Sequence, residues 1–497
     1  MQHVYIMSWT LKKHLQNILA REQGAVMKDW GGKASVALVY PNTYRVGMGN
    51  LAIHSIYRML NSRSGIVCER AFLPDKREMR EHMRMGAPVL SIESQRPLSD
   101  FDWVAVSVSF ENDYLNILPM LEMCRIPHMS DERGEGMPLI IAGGAAPTLN
   151  PWPMSRIADA VVMGEMEAYA ADLIPLIESR AGRADALAEL GAMNGVLAGS
   201  TPPYLPLQRG GIIKALRPRH VADLDSIKTQ TVIYARDVEF GDMHLIEVER
   251  GCPRRCSFCA TPVIYGGHRR RSAAAVIAMV DEGLAHRKKF GLIGADILSH
   301  PQFVEIAEAI HARGATFSPS SVRADAIDDS RARLLAASSH RSVALGVEAG
   351  SERLRKELSK GLTDERLLSA VATLARAGIT RLRLYFMLGL PGETDEDVAA
   401  ITELACRVRD ELRAAAPKSA RTTAVDLTVT PFVPKPSTPL AGGPFAGEPE
   451  LKRRVKEIRR AVGKSKGLTA RFDSINEARI EWLLANGGAD AIELITD

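Results

Sequence analysis

The chain is poor in cysteine and in aromatic residues, carries no strong excess of either charge and lacks long hydrophobic runs. Six cysteines in 497 residues cannot build the dense disulfide framework of small secreted domains. Three of the six fall within the eight residues Cys252–Cys259, a distribution that points to a metal site and a reducing, cytoplasmic setting. The net charge of +4 permits an anionic partner without demanding one. Nucleic-acid binders usually show a clustered basic face, so nucleic acid is not indicated. The densest basic run, Arg269–Arg271, reads as a solvated loop. No run of eighteen apolar residues occurs, so no membrane-spanning helix is expected. The segment MQHVYIMSWTLKKHLQNILA lacks the long apolar stretch and small-residue cleavage site of a secretory leader. Leu11, Leu15, Ile18 and Leu19 instead predict an amphipathic helix, and residues 1–33 read as a helical arm.

What is present is a two-fold alternation of strand and helix signals. The runs Ser35–Pro41, Ile66–Pro74, Trp103–Phe110, Pro138–Gly144 and Asp159–Gly164 are apolar on both faces, with helical stretches such as Asn50–Asn61 between them. Asn50 is a candidate N-cap of that helix. Such strands predict a parallel sheet covered on both sides over residues 34–200, with ligands outside the carboxyl ends of the strands. The segment TPPYLPLQRGG opens a predicted linker, 201–240. From His244 a second alternation supplies six strand candidates: His244–Arg250, Phe290–Leu298, Ala315–Arg323, Ser342–Ala349, Arg381–Leu390 and Ala424–Val433. Repeated βα units build an open sheet or a barrel, here over 241–445. Residues 446–497 read as a short helical tail.

The segment ERGCPRRCSFCATP spaces Cys252, Cys256 and Cys259 as C-x3-C-x2-C. Thiolates are the usual ligands of iron–sulfur clusters, and close spacing lets one loop hold three corners of a cube. A third-ligand set leaves one iron open, which distinguishes a reactive centre from a closed structural one. Zinc is the alternative, but it favours four ligands, and only His268 or His244, at unusual spacings, could complete the set.

With Phe258 before the last cysteine, this motif resembles the signature of the radical S-adenosylmethionine (SAM) superfamily. The segments LGVEAGSERLRKELSKG, RLYFMLGLPGET and TPFVPKPSTP are similar to those of its cobalamin-domain members. The resemblance implies an α/β protein with an N-terminal Rossmann-like, cobalamin-binding-type domain and a partial (β/α)6 barrel. It implies a [4Fe–4S] cluster on the three cysteines, SAM as co-substrate, and a flavodoxin- or ferredoxin-type electron donor. Glu348 matches the carboxylate that bonds the SAM ribose, and Arg383 a base suited to the SAM carboxylate. Phe258, Ser321 and Arg323 are further cofactor-contact candidates, and Gly294 falls near the methionine moiety; no catalytic residue is assigned.

Cobalamin is the third cofactor that the resemblance brings, and YPNTYRVGMGNLAIHSIYRMLN and IAGGAAPTLNPWPMSRIADAVVMGE carry that part of it. The Asp-x-His-x-x-Gly loop that supplies histidine to cobalt is missing, and His54 falls within a helical stretch. A corrinoid would therefore bind without a lower histidine, with Gly143, Gly144 and Gly164 letting backbone come close to it. The implied activity is modification of an unidentified substrate, with cobalamin-dependent methyl transfer as one form. Two alternatives stand beside it: an RNA-modifying enzyme of methylthiotransferase type, which the cysteine loop also resembles, and a non-catalytic SAM- or corrinoid-binding sensor.

Overall fold

The computed structural model describes residues 9–199, 216–418 and 422–496. It divides into two compact units, the first made of residues 1–242, 264–266 and 483–497 and the second of 243–263 and 267–482.

Fully buried apolar runs become the central strands of the first unit, because such segments are stable only with both faces covered. These strands are β1 (Ala34–Tyr40), β2 (Ile66–Phe72), β3 (Trp103–Ser107), β4 (Leu139–Gly143) and β5 (Ala160–Val162). A sixth, β6 (Val196–Ala198), carries too short a signal to read and pairs antiparallel with β5. The order is β2-β1-β3-β4-β5-β6, with the first five parallel. The order in which strands are added reverses between β1 and β3, the position at which doubly wound sheets of this order bind ligands. Asn50 caps the helix Leu51–Asn61, accepting from the Ala52 N–H at 2.9 Å. Among the described residues of the arm, the helix spans Trp9–Leu19. Beyond it, Glu22 accepts both terminal nitrogens of Arg70 at 2.7 Å, while Glu93 accepts Arg70 Nε at 2.8 Å, all with side chains essentially unexposed.

The second unit holds β7 (His244–Glu247), β10 (Lys289–Ile293), β11 (Thr316–Pro319), β12 (Ser342–Glu348), β13 (Arg381–Leu388), β14 (Ala424–Pro431) and β15 (Leu468–Phe472). All pair in parallel and in chain order, as sheets β7-β10-β11 and β12-β13-β14-β15, bridged at Val322 and Leu345. Helices such as Ala273–Gly283, Phe303–Ala312, Asp364–Arg376 and Asp395–Ala415 pack one face into a single core with Phe290, Phe317, Leu345 and Leu384. Between β7 and β10 stands a small antiparallel hairpin, β8 (Glu249–Arg250) with β9 (Arg269–Arg270).

Three sequence expectations need correction. The tail is not wholly helical: between helices Glu448–Gly463 and Ile475–Asn486 lies β15, a seventh parallel strand. Its sequence LTARF has one buried residue in five, so no apolar alternation announces it. The predicted linker begins outside the described residues, at 201–215, but from Leu216 onward the chain belongs to the first unit. There Leu224, Ile233, Tyr234 and Ala235 are buried, and Tyr234 bridges Gln23. Arg271 is no solvated residue either: its unexposed guanidinium donates to the Glu247 carbonyl at 2.8 Å and pairs with its carboxylate at 3.0 Å. Among the described residues, no helix is long and apolar enough to cross a membrane.

His54 is a packing residue. It is 1% exposed, its Nε2 faces the Met48 carbonyl at 3.0 Å, and its Nδ1 accepts from the Val232 and Ile233 N–H groups at 3.3 Å. Burial holds the ring neutral and lowers its pKa from 6.5 to about 4. A depressed histidine contributes stability that is present above the unfolded value and lost as pH falls toward the folded one. Denaturant titrations from pH 6.5 to 4 are therefore expected to cost the wild type about 3 kcal/mol more than a His54→Gln variant.

Candidate functional site

The three cysteines lie on the long loop that the β8–β9 hairpin closes, just beyond the carboxyl end of β7. The loop starts at Gly251, whose φ of +75° and 2.2 Å separation between a Cβ position and the Gly267 carbonyl exclude any side chain. Main-chain bonds then fix its course: Cys259 N–H to Cys256 carbonyl at 3.1 Å, Ser257 N–H to Leu358 carbonyl at 2.9 Å, and Leu440 N–H to Ser257 carbonyl at 3.3 Å. Phe258 packs beside Leu354, Leu358, Leu390 and Phe432, so the motif's aromatic serves as the loop's apolar anchor.

Charged side chains from three strand ends surround this loop. Arg254, between the first two cysteines, donates to Asp296 after β10 at 3.1 Å and pairs with Asp325 after β11 at 3.4 Å. Asp325 in turn accepts a fork of bonds from Arg323, at 3.0 and 3.1 Å, and these hold it below the usual carboxylate range although burial opposes them. Arg323 also reaches the Lys360 carbonyl at 3.4 Å, and Lys360 Nζ donates to Glu348 Oε1 at 2.8 Å. Burial pushes the thiols of Cys252 and Cys256 up; at Cys256 the Lys360 and Arg323 cations act the other way.

The residues expected from sequence separate into two groups. Cys252, Cys256, Cys259, Phe258, Arg323 and Glu348 are gathered at the strand ends. Glu348 stands there with φ at +75°, next to a register shift that follows Gly346. A side chain is rare in that conformation, and such outliers cluster where function over-determines the backbone. Gly346 is required by it, because a Cβ would come 2.6 Å from Glu348 Oε1 and 3.3 Å from Lys360 Nζ. Ser321 is half-buried nearby on the β11 side. Arg383 is not part of this group. It is level with Ala344, whereas Glu348 is level with Phe386, three strand positions or about 10 Å away. Gly294 is explained by packing, since a Cβ would meet Glu249 Cγ at 2.4 Å.

Sequence reasoning missed Lys360, Arg254 and Asp325, and it discounted Asp296 because the segment LIGADIL departs from the family's pattern. The available signal was Lys360-Gly361 at the end of a segment already singled out, with Gly361 at φ +69°.

The donor set fits an iron–sulfur cluster by its chemistry, three thiols on one loop with cations beside the most buried. The zinc alternative loses its fourth ligands: His268 is engaged by Glu249 at 2.9 Å, and His244 is 1% exposed against the Phe290 ring. Among the described residues, no three His, Cys, Asp or Glu side chains are grouped to hold a single ion.

The strand ends of the first unit fit a corrinoid less well. Gly144 and Gly164 have positive φ, but their Cβ positions fall 2.3 Å from the Val108 carbonyl and 2.2 Å from the Arg219 carbonyl. Their smallness serves the chain's own backbone. The β1–β3 crevice is laced by Asn42 to Asp113 and Asn50 to Ser109, each at 2.8 Å. A cavity of about 510 Å³ in this unit is lined by Leu15, Tyr44, Phe72, His82 and Ala235; it takes in part of the segment that follows β1 but none of Gly143, Gly144, Gly164 and His54.

The family described as the radical SAM superfamily matches residues 246–405, and that of radical SAM proteins, N-terminal, matches 52–198. An uncharacterised protein of Methanocaldococcus jannaschii is 26% identical over 91% of this chain and 88% of its own length. An uncharacterised methyltransferase of Pyrococcus horikoshii is 25% identical over 54% of this chain and 57% of that protein. A tRNA-2-methylthio-N(6)-dimethylallyladenosine synthase of Acidithiobacillus ferrooxidans is 30% identical over 34% of this chain and 41% of that protein. Among solved structures, the cobalamin-dependent SAM radical enzyme OxsB, with aqua-cobalamin and SAM bound, is similar at a TM-score of 0.55 and 15% identity. That match covers 86% of this chain and 61% of the other, so the chain spans less than two thirds of that structure. At this identity the likeness is one of fold.

Lys360 and Glu348 have side chains 9% and 16% exposed, so each leaves a poorly solvated charge when the other is removed. Lys360→Met and Glu348→Gln are each expected to cost about 1–3 kcal/mol in denaturant unfolding. The double variant should recover part of that loss, a coupling of about 1–2 kcal/mol.

Proposed function

This chain belongs to the radical SAM superfamily, and on that premise we propose that it is an enzyme modifying its substrate at an unactivated carbon. The observation that carries the proposal is the convergence of Cys256, Arg323, Lys360 and the strained Glu348 at the carboxyl ends of the barrel strands. Cys252, Cys256 and Cys259 are the residues that would hold a [4Fe–4S] cluster. When bound, cluster and SAM supply a 5′-deoxyadenosyl radical or, in some members, a methyl group.

The chain's own residues prepare that site. The thiols must lose their protons to bind metal, and the Lys360 and Arg323 cations favour the Cys256 thiolate against its burial. Glu348, held by Lys360, presents acceptor oxygens suited to the ribose hydroxyls of SAM. Arg323, fixed by Asp325, offers donors to its anionic end, with the Ser321 hydroxyl as a further contact. Phe258 keeps water from the base of the loop. The electron comes from a flavodoxin- or ferredoxin-type donor.

Methyl transfer through cobalamin is a narrower form of this proposal, supported by the fold shared with a cobalamin-bound enzyme. His54 is buried and bonded at both ring nitrogens, so a corrinoid would take no axial ligand from it. The methylthiotransferase reading has weaker support. It needs a second cluster, and the two cysteines before the motif, Cys68 and Cys124, are both buried with their thiols pushed up, Cys124 to about 12. The sensor reading predicts SAM binding without turnover.

Anaerobic reconstitution is expected to give about four irons per chain and, with a strong reductant, 5′-deoxyadenosine or S-adenosylhomocysteine. Cys256→Ala should lose most of the iron. Glu348→Gln should keep it and weaken SAM binding about tenfold, as loss of a charge-assisted bond does. A fully loaded cluster that never turns SAM over, with any reductant, would sink the enzyme reading. About eight irons per chain would revive the methylthiotransferase one.

A further inference from the structure

The inner face of the second sheet holds side chains that the cofactor site does not use. Along β13, Leu382, Leu384, Phe386 and Leu388 are all buried against the helices. The alternate residues Arg381, Arg383 and Tyr385 point to the opposite face and are exposed, which in a barrel-like sheet is the lumen. Parallel barrels normally fill that space with branched apolar side chains. Here it is polar: β14 contributes Asp426, Thr428 and Thr430, and β15 adds Thr469 and Arg471.

The charges on this face do not cancel. Asp426 lies opposite Arg383 in register, yet it is already engaged by Arg381 at 3.4 Å and by the Thr469 hydroxyl. Glu348 is taken by Lys360. Arg383, Tyr385 and Thr428 have no side-chain partner among the described residues. Tyr385 follows Arg383 by two positions on the same face and is level with Thr428. On the other side, the β12 residue level with Arg383 is Ala344, whose short side chain leaves room beside the guanidinium, while the Glu348 and Lys360 head groups lie over Gly346, one level further along. A planar fork of donors with two hydroxyls and no free acceptor beside them suits an oxyanion.

We infer that this recess reads an anionic group, a carboxylate or a phosphate, on the substrate, with Arg383 as its principal ligand and Tyr385 and Thr428 as supporting donors. The inference rests on the reading of the strand ends as the SAM site. It moves Arg383 from cofactor to substrate, because its backbone lies about 10 Å along the strand from the level of Glu348 and, among the described residues, Glu348 is bonded to Lys360 and not to Arg383.

The test uses the full chain with its cluster reconstituted. Phenylglyoxal modification of Arg383 is followed by peptide mass spectrometry in the presence of inorganic phosphate, acetate or SAM. Phosphate or acetate is expected to slow modification about tenfold, SAM to leave it within about twofold, and Arg383→Gln to abolish ³¹P line broadening of added phosphate while Arg383→Lys retains part of it. The anion that protects better identifies the substrate group. Protection of Arg383 by SAM, with loss of SAM affinity in both variants, would return the residue to the cofactor and overturn the inference. So would modification that neither anion slows. If the wild type binds no SAM at all, the proposed function fails, and the two anion measurements still decide the recess on their own.

Discussion

A loop that offers three thiols to one cluster needs a fixed shape before the cluster arrives, and here that shape depends on a chain of buried charges. Asp296 is 1% exposed and its partner Arg254 belongs to the loop itself. Asp325 joins Arg254 to Arg323, and the Lys360 carbonyl continues the line to Glu348. All three carboxylates are largely buried. Deleting a single cation in such a network costs about 1–3 kcal/mol, because it leaves a poorly solvated carboxylate without its partner. The loop, the ends of β10, β11 and β12, and the backbone conformation of Glu348 are therefore one electrostatic unit.

The same unit explains why the sheet stays hollow. Each strand of β12–β14 has one row of apolar residues, and the helices take it. That single core suffices to hold the strands, so the other row is free to be polar. Its residues form a gradient along the strands, from unpaired donors at the level of Arg383 to fully paired ions at the level of Glu348. Preorganised polar groups cost nothing to reorient when a ligand arrives, which makes them effective at positioning.

Much of this was legible in the sequence, for reasons that can be stated residue by residue. A strand such as β1, buried at every position, is a nearly continuous apolar run, and nothing else of that length competes for it, whereas β2 hides the charges of Glu69 and Arg70 within an equally buried strand. Asn50 could be read as a cap because a side-chain acceptor before an apolar-periodic run has few other uses. The thiols could be read because their chemistry is local. Networks are different. Lys360 and Glu348 are twelve residues apart, Arg254 and Asp325 seventy-one, and no periodicity links an ion to a partner chosen by the fold. The strand β15 was hidden for a related reason: its register with β14 holds it in place, and its own hydrophobicity does not.

Glycine shows how far such reasoning carries. A glycine at a strand end satisfies two needs equally well, approach of a ligand or approach of the chain itself, and sequence alone cannot separate them. At Gly144 and Gly164 the space is taken by the Val108 and Arg219 carbonyls, so these positions are consumed by packing. At Gly346 the space is taken by the carboxylate of Glu348 and the ammonium of Lys360, which are themselves site residues. The distinction is whether the atoms that forbid a Cβ are backbone or functional side chain. By that criterion the second unit devotes a glycine to its chemistry, whereas the glycines at the strand ends of the first unit build the fold. A corrinoid there would have to be held by other groups. The same criterion singles out β12, where backbone strain, charge and the absence of a side chain coincide within three residues, Gly346–Glu348.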